Sequence, residues 1–140
     1  DNNMEEEKVL RPIVCTKVLV WNPDKTKFLM LLRGKTAPHG PLTWDIPGGD
    51  VEESEELIAS AVREVKEESG LSVIEPITSF VYLDRQPDET VLTIFYECVS
   101  NSEEVNISWE HDEYRWLTYQ EAKELKTRPK IEAFLKNKFL

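Results

Sequence analysis

The stretch from Gly48 to Leu71, GGDVEESEELIASAVREVKEESGL, constrains this chain more than any other. Pro47-Gly48-Gly49 breaks the backbone sharply, and the residues that follow read as an amphipathic helix. The helix is expected to start near Ser54, a good N-cap residue type, with Glu55 and Glu56 in the first turn where the helix dipole favours negative charge. It is expected to end at Gly70, which suits the left-handed C-terminal position. At about 100° per residue, Leu57, Ile58, Ala61, Val62 and Val65 form one apolar arc roughly 140° wide, and Glu64, Glu67 and Glu68 form a second arc beside it. A helix of this kind needs a surface on which to bury its apolar face.

The rest of the chain supplies strands. Val9 to Trp21 reads as a strand rich in Val, Ile and Leu, followed by the turn Asn22-Pro23-Asp24 and a second strand, Lys27 to Leu32. Gly34 to Thr43 reads as a loop before a short strand around Trp44-Asp45-Ile46. Leu71 to Leu83 reads as one or two strands interrupted at Pro76, Gln86 to Glu89 as a turn, and Thr90 to Val99 as a further strand. After a short strand around Tyr114 to Leu117, Thr118 and Glu121 make a capping box for a helix through Leu125. A last helix from about Pro129 carries Ile131, Phe134, Leu135 and Phe139 on one stripe. Strands interleaved with helices, with hairpins and one helical crossover, predict an α/β fold with a mixed sheet and helices on both faces.

With 140 residues, 40% hydrophobic and 31% charged, the chain is expected to form one domain, residues 1–140, around a real core. Residues 1–8 are expected to be a disordered or expression-derived N-terminus. Cys15 and Cys98 lie in apolar runs without the spacing of a zinc site or redox pair, and read as buried free thiols. No apolar run approaches the roughly 18 residues of a membrane span, and DNNMEEEKVLRP has no signal-peptide profile. The expectation is a cytoplasmic protein that engages no membrane and is a monomer or homodimer.

The formal net charge of -10 argues against a surface that grips polymeric nucleic acid. Eight acidic residues lie between Gly48 and Leu71, against only Arg63 and Lys66. If a phosphate binds beside them, divalent cations must bridge carboxylate to phosphate, because like charges at contact distance repel. Glu64, Glu67 and Glu68, spaced i, i+3 and i+4, stack on adjacent turns within reach of common cations. Glu68, at the margin of the apolar arc, is expected to be partly desolvated. From the helix alone a solvated acidic face is the competing reading, since exposed like-charge pairs cost only a few tenths of a kcal/mol each. Oxygen ligands without His or Cys favour Mg²⁺, or Mn²⁺ as substitute, over zinc.

The run Gly49 to Leu71 also fits G-x5-E-x7-R-E-U-x-E-E-x-G-U, with U aliphatic, at every specified position: Gly49, Glu55, Arg63, Glu64, Val65, Glu67, Glu68, Gly70 and Leu71. A chance match at a given start is on the order of one in a billion. The pattern is the Nudix box, and the chain resembles the MutT-like Nudix hydrolases, which cut a diphosphate linkage in nucleoside diphosphates joined to another group. The resemblance implies an α/β/α sandwich and makes Glu64, Glu67 and Glu68, with the backbone carbonyl of Gly48, the metal ligands. It implies that Arg63 orients a glutamate and that Glu55 belongs to the same network. The base that takes the proton from water varies within the family, between a box glutamate such as Glu64 or Glu67 and an acid from a later loop. Glu110 in Glu110-His111-Asp112-Glu113 lies where such a loop acid occurs. Ser54 stands where the family often has Gly, a variable position where Ser can cap the helix.

Substrate contacts lie outside the box. Arg33 and Lys35 are candidates to meet phosphates, with flexible surface cations as the equal alternative, and Trp44, Phe80, Tyr82 and Trp116 to stack on a base, although each aromatic fits a core position better. The expected substrate is a small nucleotide, foremost a nucleoside triphosphate cut to monophosphate and pyrophosphate. The alternatives are ADP-ribose or a nucleotide sugar, and a catalytically silent nucleotide-binding module. Pro87 resembles the proline marker of ADP-ribose pyrophosphatases, a weak sign because prolines are common in turns.

Overall fold

The computed structural model describes residues 8–140, so the expectation for residues 1–8 lies outside the described residues except at Lys8. Strand β1 (Ile13–Trp21) is the spine of the fold. It pairs in parallel along its whole length with β6 (Thr90–Val99), from Ile13 opposite Val91 to Trp21 opposite Val99. Strand β5 (Ile77–Arg85) adds to the far side of β6, antiparallel, with a register shift between Thr78 and Phe80. On its other edge β1 changes partner. Trp21 faces Phe28 of β2 (Phe28–Arg33), whereas Cys15, Thr16 and Lys17 face Asp50, Gly49 and Gly48 of β4 (Gly48–Asp50). Strand β2 instead takes β7 (His111–Leu117) and the two-residue β3 (Trp44–Asp45) as partners. The sheet therefore forks between β1 and β2, with β4 inside the fork.

Alternation along the strands makes two cores. Leu19, Phe28, Met30 and Phe95 point to one side, where Ile131, Phe134 and Leu135 of α3 (Pro129–Phe139) and Ala122 of α2 (Tyr119–Ala122) cover them. Val18, Val20, Leu29, Leu31 and Tyr96 point to the other, under Ala61 and Val65 of α1 (Leu57–Ser69). This is the expected α/β/α sandwich with a mixed sheet. Among the described residues no helix is long and apolar enough to cross a membrane. Both cysteines are buried free thiols, and burial pushes Cys98 up to about 12.

Locally determined features match the sequence reading. Gly70 caps α1 in the left-handed region at φ 77°, and Thr118 and Glu121 make both halves of the capping box. Several boundaries differ. Strand β1 begins after Pro12, which has no N–H for a ladder, rather than at Val9. Leu71 to Pro76 is irregular, with Glu75 at φ 51° just before Pro76, although Leu71 and Val73 are buried in the second core. Helix α2 stops at Ala122 rather than running to Leu125.

Phe134 is fully buried and stacks on Phe95 with ring centroids 4.4 Å apart. Phe134→Ala is expected to destabilise the protein by about 3–5 kcal/mol through lost burial and the cavity left behind, read from the shift of a urea unfolding curve.

Candidate active site

Helix α1 starts at Leu57, not Ser54, because Glu55 is engaged elsewhere. Its carboxylate takes Arg63 in a two-point grip, Nε to Oε2 at 2.6 Å and Nη2 to Oε1 at 3.0 Å, and also accepts from the Glu52 N–H at 3.2 Å. The hydrogen bonds from Arg63 hold Glu55 down at about 2, and those same bonds push Arg63 far above the usual guanidinium range. Arg63 Nη1 then reaches back along the helix to Glu64 Oε1 at 3.0 Å and Glu67 Oε2 at 3.1 Å. One guanidinium thus contacts three box glutamates, Glu55, Glu64 and Glu67.

The three helix acids do not converge as their spacing predicts. Among the described residues no group of three or more His, Cys, Asp or Glu side chains is gathered as a metal would need. Like-charged carboxylates on one helix edge repel, and Arg63 draws Glu67 outward, where its side chain is 56% exposed. Glu64 and Glu68 turn inward together against β4. Glu68 is only 4% exposed, deeper than the partial desolvation expected of it. Its Oε1 lies 3.4 Å from the Gly48 amide, and Ser60 Oγ meets Thr16 Oγ1 at 3.2 Å. These contacts with β1 and β4 turn the helix, so that Leu57 and Ile58, expected in the buried arc, remain exposed.

The two glycines make this approach possible. A Cβ on Gly49 would stand 2.8 Å from Glu64 Oε1, and one on Gly48, at φ 154°, would collide with Thr16 O. Burial pushes Glu68 well above the ordinary carboxylate range; Lys17 opposes the shift and neighbouring Glu64 adds to it. Glu64 and Glu68, oxygen donors with one acid buried beside the other, suit a hard divalent cation.

A second charged cluster closes the fork in the sheet, and the sequence reading missed it. Asp45 is fully buried and accepts from Lys17 Nζ at 2.9 Å and Arg33 Nη1 at 3.0 Å, with Arg128 Nη1 at 3.8 Å. Burial opposes ionisation of Asp45, but Lys17, Arg128 and Arg33 together hold it well below the usual carboxylate range. Lys17 is likewise raised despite its burial, chiefly by Asp45. The available signal was a lone Lys in an apolar strand and a lone Asp between Trp44 and Ile46.

Two clefts meet at the box. The first, about 530 Å³, is lined by Arg33, Lys35, Gly48, Glu68, Glu110 and Trp109, the last 90% exposed. The second, about 320 Å³, is lined by Cys15, Lys17, Arg33, Gly48, Gly49, Glu110, Arg128 and Lys130. Arg33, Gly48 and Glu110 belong to both. The candidates Arg33, Lys35 and Glu110 therefore gather at the box, and Trp109, Arg128 and Lys130 join them from positions the sequence did not single out. Trp44 does not. It is buried in the first core with Arg115 stacked 4.6 Å above its ring, and it lines neither cleft. Phe80 and Tyr82 pack against the same core, and Trp116 packs on the other while donating to Glu103 O.

Comparison with known proteins agrees with this fold. The NUDIX domain family model matches residues 11–137. The bis(5'-nucleosyl)-tetraphosphatase [asymmetrical] of Mus musculus is 32% identical over 115 residues, 78% of this chain and 76% of that protein. Nucleoside triphosphatase NudI of Escherichia coli (strain K12) is 33% identical over 88 residues, covering 55% of this chain and 62% of that protein. Among solved structures, the MutT protein from Methanosarcina mazei Go1 superposes with a TM-score of 0.80 at 26% identity, over 93% of this chain and 95% of that one.

His111, buried at the wall of the first cleft, is held neutral: burial lowers it from 6.5 to about 4, with Lys17 and Arg33 acting in the same direction and Asp45 and Asp112 against it. Between those two values the unfolded chain takes up a proton that the folded chain refuses. Its contribution is therefore complete above about 6.5 and lost as pH falls toward about 4. Lowering the pH from 7 to 5 is expected to remove roughly 1–2 kcal/mol through this residue, and His111→Gln to flatten that part of the profile in urea unfolding followed against pH.

Proposed function

Since the chain belongs to the Nudix family of hydrolases, we propose that it cuts a diphosphate linkage of a nucleoside polyphosphate by attack of water, foremost turning a nucleoside triphosphate into monophosphate and pyrophosphate. The observation that carries the reading is the meeting of two opposite surfaces at Gly48: the inward carboxylates Glu64 and Glu68, and the cationic walls formed by Arg33, Lys35 and Arg128. Gly48 O, Glu64 and Glu68 would hold Mg²⁺, with Mn²⁺ as a substitute, and Glu67, drawn outward by Arg63 here, would join them by turning inward. Bound there, a divalent cation supplies charge neutralisation on the diphosphate and acidifies the attacking water.

The protein's own groups do the rest. Arg63 fixes Glu64 and Glu67 through its grip on Glu55. Arg33, itself braced by Asp45, and Lys35 receive phosphate oxygens. Glu110, exposed on the loop before β7 and bordering both clefts, takes the proton from water, as does a box glutamate in the alternative assignment. Retention of Glu64, Glu67 and Glu68 together argues against a silent binding module, and no feature of the clefts favours ADP-ribose or a nucleotide sugar. A second substrate class has a specific observation behind it. Trp109 offers an open ring at the mouth of the first cleft, suited to stacking a second base, so dinucleoside polyphosphates are included.

The protein is to be incubated with Mg²⁺ and nucleoside triphosphates, dinucleoside polyphosphates, ADP-ribose and nucleotide sugars, and the products separated by chromatography. Monophosphate and pyrophosphate from at least one triphosphate are expected, with turnover abolished by a chelator and reduced at least about tenfold by Glu67→Gln. Undiminished turnover in chelator or in Glu67→Gln would overturn the reading. Trp109→Ala is expected to raise KM by about fivefold or more for dinucleoside polyphosphates and less for triphosphates, at little change in kcat. Equal KM values for the two proteins would remove the dinucleoside class.

A further inference from the structure

Lys130 sits in the first turn of α3, and its amine ends in the interior. The residue is 7% exposed, yet it lines the second cleft beside Cys15, Lys17 and Arg128. Its Nζ donates to Thr93 Oγ1 at 3.1 Å and lies 3.9 Å from Cys15 Sγ. Neither partner carries a formal negative charge, and a third N–H direction is left for a ligand. Lys17, the other buried lysine, differs in this respect because Asp45 neutralises it. Burying an ammonium without a counter-charge costs free energy. That cost lowers the proton affinity of Lys130: burial is the main cause, Lys17 and Arg128 act with it, and Cys15 and Asp45 act against it.

The fold itself has no need of this charge. An apolar side chain of the same length would pack α3 against β1 and β6 without that cost. The cleft holds no Phe, Tyr or Trp, and its apolar walls are Ile13 and Val91, so polar contacts dominate binding there. Besides the neutral donors Gln86 and His39, the cleft offers an incoming oxygen the cations Lys17, Arg33, Arg128 and Lys130.

From this geometry we propose that Lys130 is a specificity-determining residue of the second cleft, donating a charged hydrogen bond to an acceptor oxygen of the substrate part seated there. The acceptor is a phosphate oxygen or the keto oxygen of a base. The inference rests on the reading that the protein acts on nucleoside polyphosphates.

The test compares the wild-type protein with Lys130→Met and Lys130→Gln on GTP, UTP, ATP and CTP, by steady-state kinetics with Mg²⁺ and by calorimetric binding in parallel. Lys130→Met is expected to lose about tenfold in kcat/KM and in affinity, carried by KM, as fits removal of one charge-assisted hydrogen bond. Loss that spares ATP, whose base alone of the four has no keto oxygen, assigns the contact to a keto oxygen; equal loss for all four assigns it to phosphate. Lys130→Gln keeps a neutral donor and is expected to fall between, and it stands in should the methionine variant not fold. Wild-type KM and affinity for all four nucleotides in a folded variant would overturn the assignment. Should the wild-type protein turn over none of them, the reading of the reaction fails, while the binding arm still decides the role of Lys130.

Discussion

Asp45 is a fully buried carboxylate to which three elements bring a cation: Lys17 from the spine strand, Arg33 from the end of β2 and Arg128 from the N-cap of α3. An ion in that position is tolerated only because its charge is matched. The fork between β1 and β2 is where the sheet has lost its ladder, and the ion cluster replaces backbone pairing there with side-chain pairing. The mouths of both clefts depend on it, since Arg33 lines the two of them and Lys17 and Arg128 line the second.

Arg63 plays the matching part on the other side of the fork. It gathers Glu55, Glu64 and Glu67, so the acidic helix carries a cation of its own at one edge and a buried acid, Glu68, at the other. The chemistry then lies between two charge systems of opposite character. One is cationic around a buried Asp, and the other is anionic around a half-buried Arg. This division explains how a chain with a net charge of -10 can hold an anionic ligand in a local setting unlike its surface.

What could be read from the sequence was whatever short-range chemistry decides. Gly70 as a left-handed cap, the Thr118–Glu121 box and the strand from Thr90 to Val99 are each settled within a few residues, and all were legible. The start of α1 was misread because Glu55 answers to Arg63, eight residues on, and not to the helix end. The spacing of Glu64, Glu67 and Glu68 told which edge they share but not how the helix is turned, which Gly48, Gly49 and Ser60 decide through contacts with β1 and β4. Trp44 was named for stacking because a cleft aromatic and a core aromatic are the same letter. Lys17, Asp45 and Lys130 went unnoticed because periodicity assumes that charged residues face water. They do not here: Lys17 and Lys130 line the second cleft, and Asp45 is buried against Lys17.

The parallel pairing of β1 with β6 has a bearing on how the protein comes to be assembled. Everything from the hairpin through the box helix to β5 lies in the chain between those two strands. That pairing closes a long loop before it gives any contact in return, a topology that folds slowly. The carboxylates, the glycine bend and the fork hang on the closed loop, while Arg128 and Lys130 arrive still later in the chain. As the chain emerges during synthesis, Arg33, Lys35 and the box helix are made well before Glu110, Arg128 and Lys130, the last parts of the cleft walls. The full lining of both clefts is therefore a product of final closure.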